Sequence, residues 1–280
     1  MKKLTLPIIL FLIRKYLNLI TFLNFKKGGQ KAFEIFSKPR KGQLNEEQKK
    51  YLALSKQEVL YFEDTAIQTY FWAGEKPPVL LLHGWESNAA RWQSLISLLK
   101  KNKYSIIALD APAHGASGNP FFNPILYAYM MHEVVKKHQP TAIVGHSVGG
   151  YTTTFYLSNF EHPSVSKVVL MAALSDNSVV FDYYLSYIKV NQRVRNAFYD
   201  YVTTNLGGSP KELTGANFAK QFSEKALIIH DKGDELIPFS DGEKIHSAWD
   251  NSVFIPTEGF GHRLRNKQVD GFILDFMEKK

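Results

Sequence analysis

The feature that most constrains this chain is a series of short, unbroken apolar runs separated by helical stretches. Pro77-Pro78 lead into Val79-Leu80-Leu81-Leu82, and similar runs follow at Ser105–Leu109, Thr141–Val144, Lys167–Met171, Ala226–Ile229 and Ser252–Ile255. Continuous runs of this length suit strands buried on both faces. Between them lie helical patterns at about 89–101, 124–138, 148–159, 178–222, 240–249 and 266–278. Before them, Val59–Tyr61 and Ile67–Trp72 read as a hairpin. Strands alternating with helices predict an α/β fold with a mostly parallel sheet covered on both sides. The length of 280 residues fits one large α/β domain, or such a domain with an appendage. Sheets of this kind place their sites at the C-terminal ends of strands, and the informative residues fall there.

Gly145-His146-Ser147-Val148-Gly149 follows the run Thr141–Val144 and opens a helix. A nucleophilic serine in G-x-S-x-G sits on a sharp turn with strained backbone angles. Glycines two residues to either side leave room for that turn and for the helix against its strand, and Gly150 extends the small patch. His83-Gly84-Trp85 ends the Val79–Leu82 strand. The backbone N–H of Trp85 can there point at a developing oxyanion, partnered by the N–H of Val148. His83 itself reads as a brace for the loop. Trp85 is a candidate wall of the substrate pocket.

His230-Asp231-Lys232-Gly233-Asp234 follows the strand Ala226–Ile229, where a carboxylate can reach a histidine on the next loop. Asp234 is the first choice, with Asp231 and Asp176 as alternatives. Gly259-Phe260-Gly261-His262 follows Ser252–Ile255, and its glycines let the loop carry His262 in over the serine. The order Ser147, Asp234, His262 is then that of a nucleophile, an orienting carboxylate and a general base.

These elements resemble the α/β-hydrolase fold superfamily over roughly residues 58–278. Asp110-Ala111-Pro112-Ala113-His114-Gly115-Ala116-Ser117-Gly118 is similar to that family's D-x-P-G-H-G-x-S loop, with Ala113 in place of the usual Gly. The resemblance implies an eight-stranded, mostly parallel sheet flanked by helices, and a serine hydrolase mechanism. Ser147 speaks against the dehalogenase-like and epoxide hydrolase members, which use Asp as nucleophile. The family often inserts a lid between its last inner strands. Here that segment is about 175–222, rich in aromatics including Phe181, Tyr183, Tyr184, Tyr187, Phe198, Tyr199 and Tyr201. These side chains either line an acyl pocket or, as favoured for most of them, seat the lid.

Residues 1–57 lie outside the resemblance and form an apolar, basic N-terminal extension and linker ahead of a 58–280 hydrolase domain. Of the net charge of +8, residues 1–50 carry twelve Lys/Arg against three acids, so the rest of the chain is close to neutral. Leu6 to Ile13 is too short an apolar run to span a bilayer, and Arg14-Lys15 end it. From Arg14 the polar residues recur at Asn18, Thr21 and Asn24, a helical stripe. Three readings of residues 4–25 stay open: peripheral contact with an anionic membrane, docking on the protein's own core or a partner, and an uncleaved signal-anchor. Nucleic acid is not expected, since no recognition motif accompanies the charge.

The chain has no cysteine, which excludes disulfides and thiolate metal sites. It carries neither G-x-x-x-x-G-K-[ST] nor G-x-G-x-x-G, and His132-Glu133 is followed by Lys136 where a zinc motif needs His. No cofactor or metal is expected. The expectation is a serine hydrolase cleaving a carboxylic ester or thioester of a small or lipid-like acyl substrate through Ser147. Acyl transfer or peptide cleavage by the same triad, and a non-catalytic binding protein on this fold, are the alternatives. The expected location is the cytoplasm, with the inner membrane surface open through the basic head. Oligomeric state is not readable from the sequence.

Overall fold

The computed structural model describes residues 6–279, so Lys2, Lys3, Leu4 and Thr5 of the head lie outside the described residues. Two helices open the chain, α1 (Leu6–Leu23) and α2 (Phe25–Ser37), and a short third, α3 (Glu46–Leu52), follows. Then come β1 (Lys56–Phe62), β2 (Thr65–Trp72), β3 (Lys76–Leu82), α4 (Gln93–Lys101), β4 (Tyr104–Leu109), α5 (Pro124–His138), β5 (Ala142–His146), α6 (Val148–Asn159) and β6 (Lys167–Met171). The remainder is α7 (Asn177–Ile188), α8 (Gln192–Asn205), α9 (Gly215–Ala219), β7 (Lys225–Asp231), α10 (Phe239–Ala248), β8 (Ser252–Thr257) and α11 (Lys267–Glu278). The long helical stretch read over 178–222 is thus three helices. The first break falls where Lys189 turns left-handed and Asn191 caps α8, and the second at Gly207-Gly208 and Pro210, where helix propensity is lowest.

The chain divides into two compact units. The larger holds residues 39–175 and 215–279 and contains an eight-stranded sheet in the order β1-β2-β4-β3-β5-β6-β7-β8. Only β2 runs antiparallel to its neighbours; every other pair is parallel. The inner strands are buried along nearly their whole length, which is why they read as unbroken apolar runs. The order reverses at β3, which pairs with β4 on one side and β5 on the other. Leu82 lies opposite Gly145 in that register, so the loop after β3 begins beside the turn after β5. A crevice at such a reversal is where α/β sheets bind ligands.

The smaller unit holds the described residues up to Lys38 together with Asp176–Thr214. The sequence division at residue 57 therefore differs from the structural one. α3 belongs with the sheet: Asn45 and Gln48 close a capping box on it, and Leu52 is buried in the sheet's core cluster. α2 belongs with α8, because its apolar side meets the aromatics of the insertion. Phe33 packs against Phe198 and Tyr201 (6.0 and 5.4 Å between centroids), and Phe36 against Phe181 and Tyr184 (5.3 and 4.8 Å). Gly29 permits the approach, since a Cβ there would lie 2.1 Å from the Ala197 carbonyl oxygen. Most aromatics of the insertion thus seat α2. Tyr183 and Tyr187 instead stack on each other at the surface.

α1 is continuous through Arg14 and Lys15, which end the apolar run but favour helix. By length and composition it suffices to cross a membrane, unlike the eight-residue run read from the sequence.

Candidate active site

The turn between β5 and α6 holds Ser147 at φ +55° and ψ −122°, a strained conformation for a residue with a side chain. The Ser147 N–H donates to the Met171 carbonyl of β6 at 2.9 Å. A Cβ at Gly145 would lie 2.7 Å from the Gly149 carbonyl oxygen, and one at Gly149 would lie 2.6 Å from that of Leu82. Both glycines mark close crossings of helix and strand, the use the sequence reading gave them.

His262 reaches Ser147 from the loop after β8. Its Nε2 is 3.1 Å from Ser147 Oγ, and its Nδ1 is 2.8 Å from Asp234 Oδ2. The Asp234 side chain is shielded from solvent, and its other oxygen accepts the N–H groups of Leu236 and Ile237, both at 2.9 Å. Burial pushes this carboxyl up, but hydrogen bonds from His230, His262 and the Ile237 N–H outweigh it and hold the group well below the ordinary carboxylate range. His230 was not singled out from sequence. Its Nε2 lies 3.4 Å from Asp234 Oδ2 and 3.1 Å from the Ile237 carbonyl oxygen.

The two alternative carboxylates are engaged elsewhere. Asp231 accepts the Thr257 hydroxyl and the Phe260 N–H on one oxygen, at 2.8 and 2.9 Å, and the Gly233 N–H on the other. It fixes the start of the histidine loop. Asp176 caps α7 by accepting the Ser178 N–H at 2.7 Å.

His146 is buried, and its Nε2 bonds the His262 carbonyl oxygen at 2.8 Å, an acceptor that requires the proton on that nitrogen. Burial, with the charge of Arg91 next in weight, lowers its pKa well below the ordinary imidazole value. His83 is fully buried. Its Nε2 accepts the Ala111 N–H at 2.9 Å, so its Nδ1 donates to the Gly84 carbonyl at 2.8 Å. Both ring nitrogens are held by main chain. Gly84 passes close over the nucleophile: a Cβ there would lie 3.0 Å from Ser147 Cβ and 2.9 Å from His146 Nδ1. The Trp85 ring packs edge-on against His114 and Phe122, each at 5.3 Å. Val148 is the first residue of α6, so its N–H has no acceptor within the helix.

Asp110 organises the surrounding loops from a fully buried position. One oxygen accepts the Tyr70 hydroxyl (2.8 Å) and the Ala116 N–H (2.9 Å); the other accepts the Ala89 N–H (2.8 Å). Burial pushes its carboxyl up to about 6 against those three bonds. Its place at the head of the 110–118 motif was the available signal. Among the described residues, no group of three or more His, Asp or Glu is arranged to hold a metal ion.

A family profile described as an alpha/beta hydrolase fold matches residues 77–210. A bromoperoxidase from Bacillus anthracis superposes with a TM-score of 0.60 at 21% identity, covering 80% of this chain and 100% of that one. The chain adopts the α/β-hydrolase fold. Among curated proteins it is 31% identical over 117 residues to a putative non-heme chloroperoxidase of Synechocystis, 40% of each chain. It is 22% identical over 258 residues to a bifunctional esterase/perhydrolase of Acinetobacter calcoaceticus, covering 74% of this chain and 92% of that one. The match spans less than half the length of the first curated relatives.

Proposed function

We propose that the chain is a serine hydrolase that cleaves a carboxylic ester or thioester of a small or lipid-like acyl substrate. The observation that carries this reading is the continuous chain of hydrogen-bond distances from Ser147 Oγ through His262 to Asp234, 3.1 and 2.8 Å. A relative named as an esterase/perhydrolase and another named as a probable serine hydrolase are in keeping with it.

In this mechanism Ser147 Oγ attacks the substrate carbonyl carbon while His262 Nε2 takes the hydroxyl proton. Ionised Asp234 holds the imidazole tautomer and stabilises the imidazolium. The backbone N–H groups of Trp85 and Val148 hold the oxyanion; one such donor is typically worth about 3–4 kcal/mol in the transition state. Collapse expels the alcohol or thiol, which takes the proton from His262. Water, deprotonated by His262, then attacks the acyl-enzyme, and the acid leaves with Ser147 restored.

The test is turnover of p-nitrophenyl esters from acetyl to palmitoyl by the wild type and Ser147→Ala. Wild-type turnover that falls by several orders of magnitude in the variant is the expected result, on the order of a millionfold where the nucleophile is lost outright. Equal turnover by both proteins would defeat the reading.

A further inference from the structure

We propose that α1 is an in-plane membrane helix, held to the α7–α8 pair by its polar stripe and entering the surface of an anionic lipid bilayer with its apolar face. The proposal is independent of the chemistry at Ser147.

α1 is amphipathic in the reverse sense for a helix docked on a protein. A soluble helix turns its apolar stripe to the core and its polar face to water. In α1, Thr21 is buried beside Leu17, and Arg14 and Asn18 are half-buried. The stripe bonds to its neighbours: Arg193 Nε donates to the Thr21 carbonyl at 3.2 Å, and Asn18 Oδ1 accepts the Asn191 N–H at 3.4 Å. Gly28 of α2 adds a close crossing, since a Cβ there would lie 2.6 Å from Thr21 Cα. The opposite side carries Ile8, Phe11, Leu12, Leu19, Phe22 and Leu23 at helical spacing, all exposed, with Phe22 and Leu23 above 70%. Lys15 is the one charge among them, and its long stem lets the ammonium reach out sideways.

Charge selects the occupant. Residues 6–38 hold six Lys/Arg against one acid, Glu34, while 176–214 are balanced at four against four. Lys26 and Lys27, just past the end of α1, are exposed. An apolar face bordered by cations fits anionic headgroups over acyl chains. The docked stripe also decides orientation. A spanning α1 would take Arg14 and Lys15 into the hydrocarbon and strip Leu17, Thr21 and Asn18 from their contacts. Lying flat keeps both the contacts and the cations in place.

The experiment floats the full chain with vesicles of phosphatidylcholine, alone or mixed with phosphatidylglycerol, at low and high salt. The paired variant is Leu19→Glu/Phe22→Glu, which alters only exposed positions; circular dichroism and thermal melting check that it folds. The expected result is binding to the anionic vesicles that weakens with salt and falls by roughly a hundredfold or more in the variant. Because the chain has no cysteine, Leu12→Cys and Leu23→Cys can each carry a single fluorophore. Lipids bearing quenchers at known depth should report both as shallow. The proposal is overturned by absence of binding to anionic vesicles, by equal binding of the variant, or by a deep position at 12 with a shallow one at 23. A dimer in solution that the variant breaks, without vesicle binding, would assign the face to a second copy and overturn it equally.

Discussion

The residue before the candidate nucleophile holds the backbone of the candidate base: His146 Nε2 donates to the His262 carbonyl at 2.8 Å. The two ends of the proposed proton path are thereby tied together by a group that need not itself exchange a proton. His146→Leu is expected to lower kcat about 10–100-fold, because a displacement of an ångström at a reacting group costs that much. His146→Gln, whose amide can still donate, should recover part of the loss. Steady-state kinetics on a soluble ester, with KM followed separately, checks this. Unchanged kcat in the leucine variant would show that the bond does not position His262.

Asp234→Asn should leave the fold intact and reduce kcat by about 10⁴, since an amide favours the wrong imidazole tautomer. A second consequence concerns acid stability. The Asp234 carboxyl is depressed in the folded chain, so its contribution is present above about 3.8 and lost as pH falls below that value. Urea midpoints at pH 6 and pH 3 should therefore converge more closely in the variant than in the wild type.

The buried histidines set a different acid window. His114 is lowered to about 4, mainly by burial, against an ordinary value of 6.5. Unfolded chains take up that proton as pH falls from 6.5 to about 4 while folded chains do not, so stability declines across this interval by on the order of 3 kcal/mol for His114 alone. His83 and His146, both lowered mainly by burial, act in the same direction. Asp110, raised from 3.8 to about 6, acts in the opposite one, because its folded form gains the proton first. Replacing His114 with Asn should flatten the decline between pH 6.5 and 4 in denaturant melts, and an unchanged slope would show that His114 is not its source.

Two substitutions two residues apart in the 110–118 loop should differ in their effect. Gly115 sits at φ +53°, and a Cβ there would lie 2.0–2.4 Å from the Asp110 carboxyl atoms. Gly115→Ala should cost about 2–4 kcal/mol by breaking the Asp110 hub. Ala113 already occupies φ +64°. Ala113→Gly relieves about 1 kcal/mol of strain but removes a buried methyl worth about as much, so thermal melting should move little.

In the helical unit, Gly29→Val would drive side-chain atoms into the Ala197 carbonyl of α8. α2 should then detach more often, and trypsin should cut at Lys26, Lys27 or Lys31 about tenfold faster than in the wild type. Equal cleavage rates would show that α2 is not held by this crossing.

The sheet and the spatial grouping of Ser147, Asp234 and His262 were legible because local signals carried them. Unbroken apolar runs mark the inner strands, and the glycines of 145–149 and 259–261 mark the turns. The helix starts read at about 124 and 148 agree with α5 and α6, where Asn123 caps Pro124 and Ser147 precedes Val148. What stayed hidden depends on pairing between distant segments. Nothing local to Phe33, Phe36 or Gly29 says that their partners are Phe198, Tyr184 and Ala197. The polar stripe Arg14-Asn18-Thr21 was visible, but its facing inward was not, because period alone gives a helix two faces without naming the one that docks. His230 escaped for a similar reason: its position, next to one candidate carboxylate and four residues before another, did not show which it meets.

The central claim is that Ser147 is the acylated nucleophile, and the most direct measurement is to map the residue modified by a fluorophosphonate probe. Peptide mass spectrometry on the wild-type chain should find one adduct, on Ser147, absent from Ser147→Ala and much slower in His262→Ala. An adduct on another residue, or ester turnover that persists in Ser147→Ala with no adduct at position 147 in the wild type, would contradict the account.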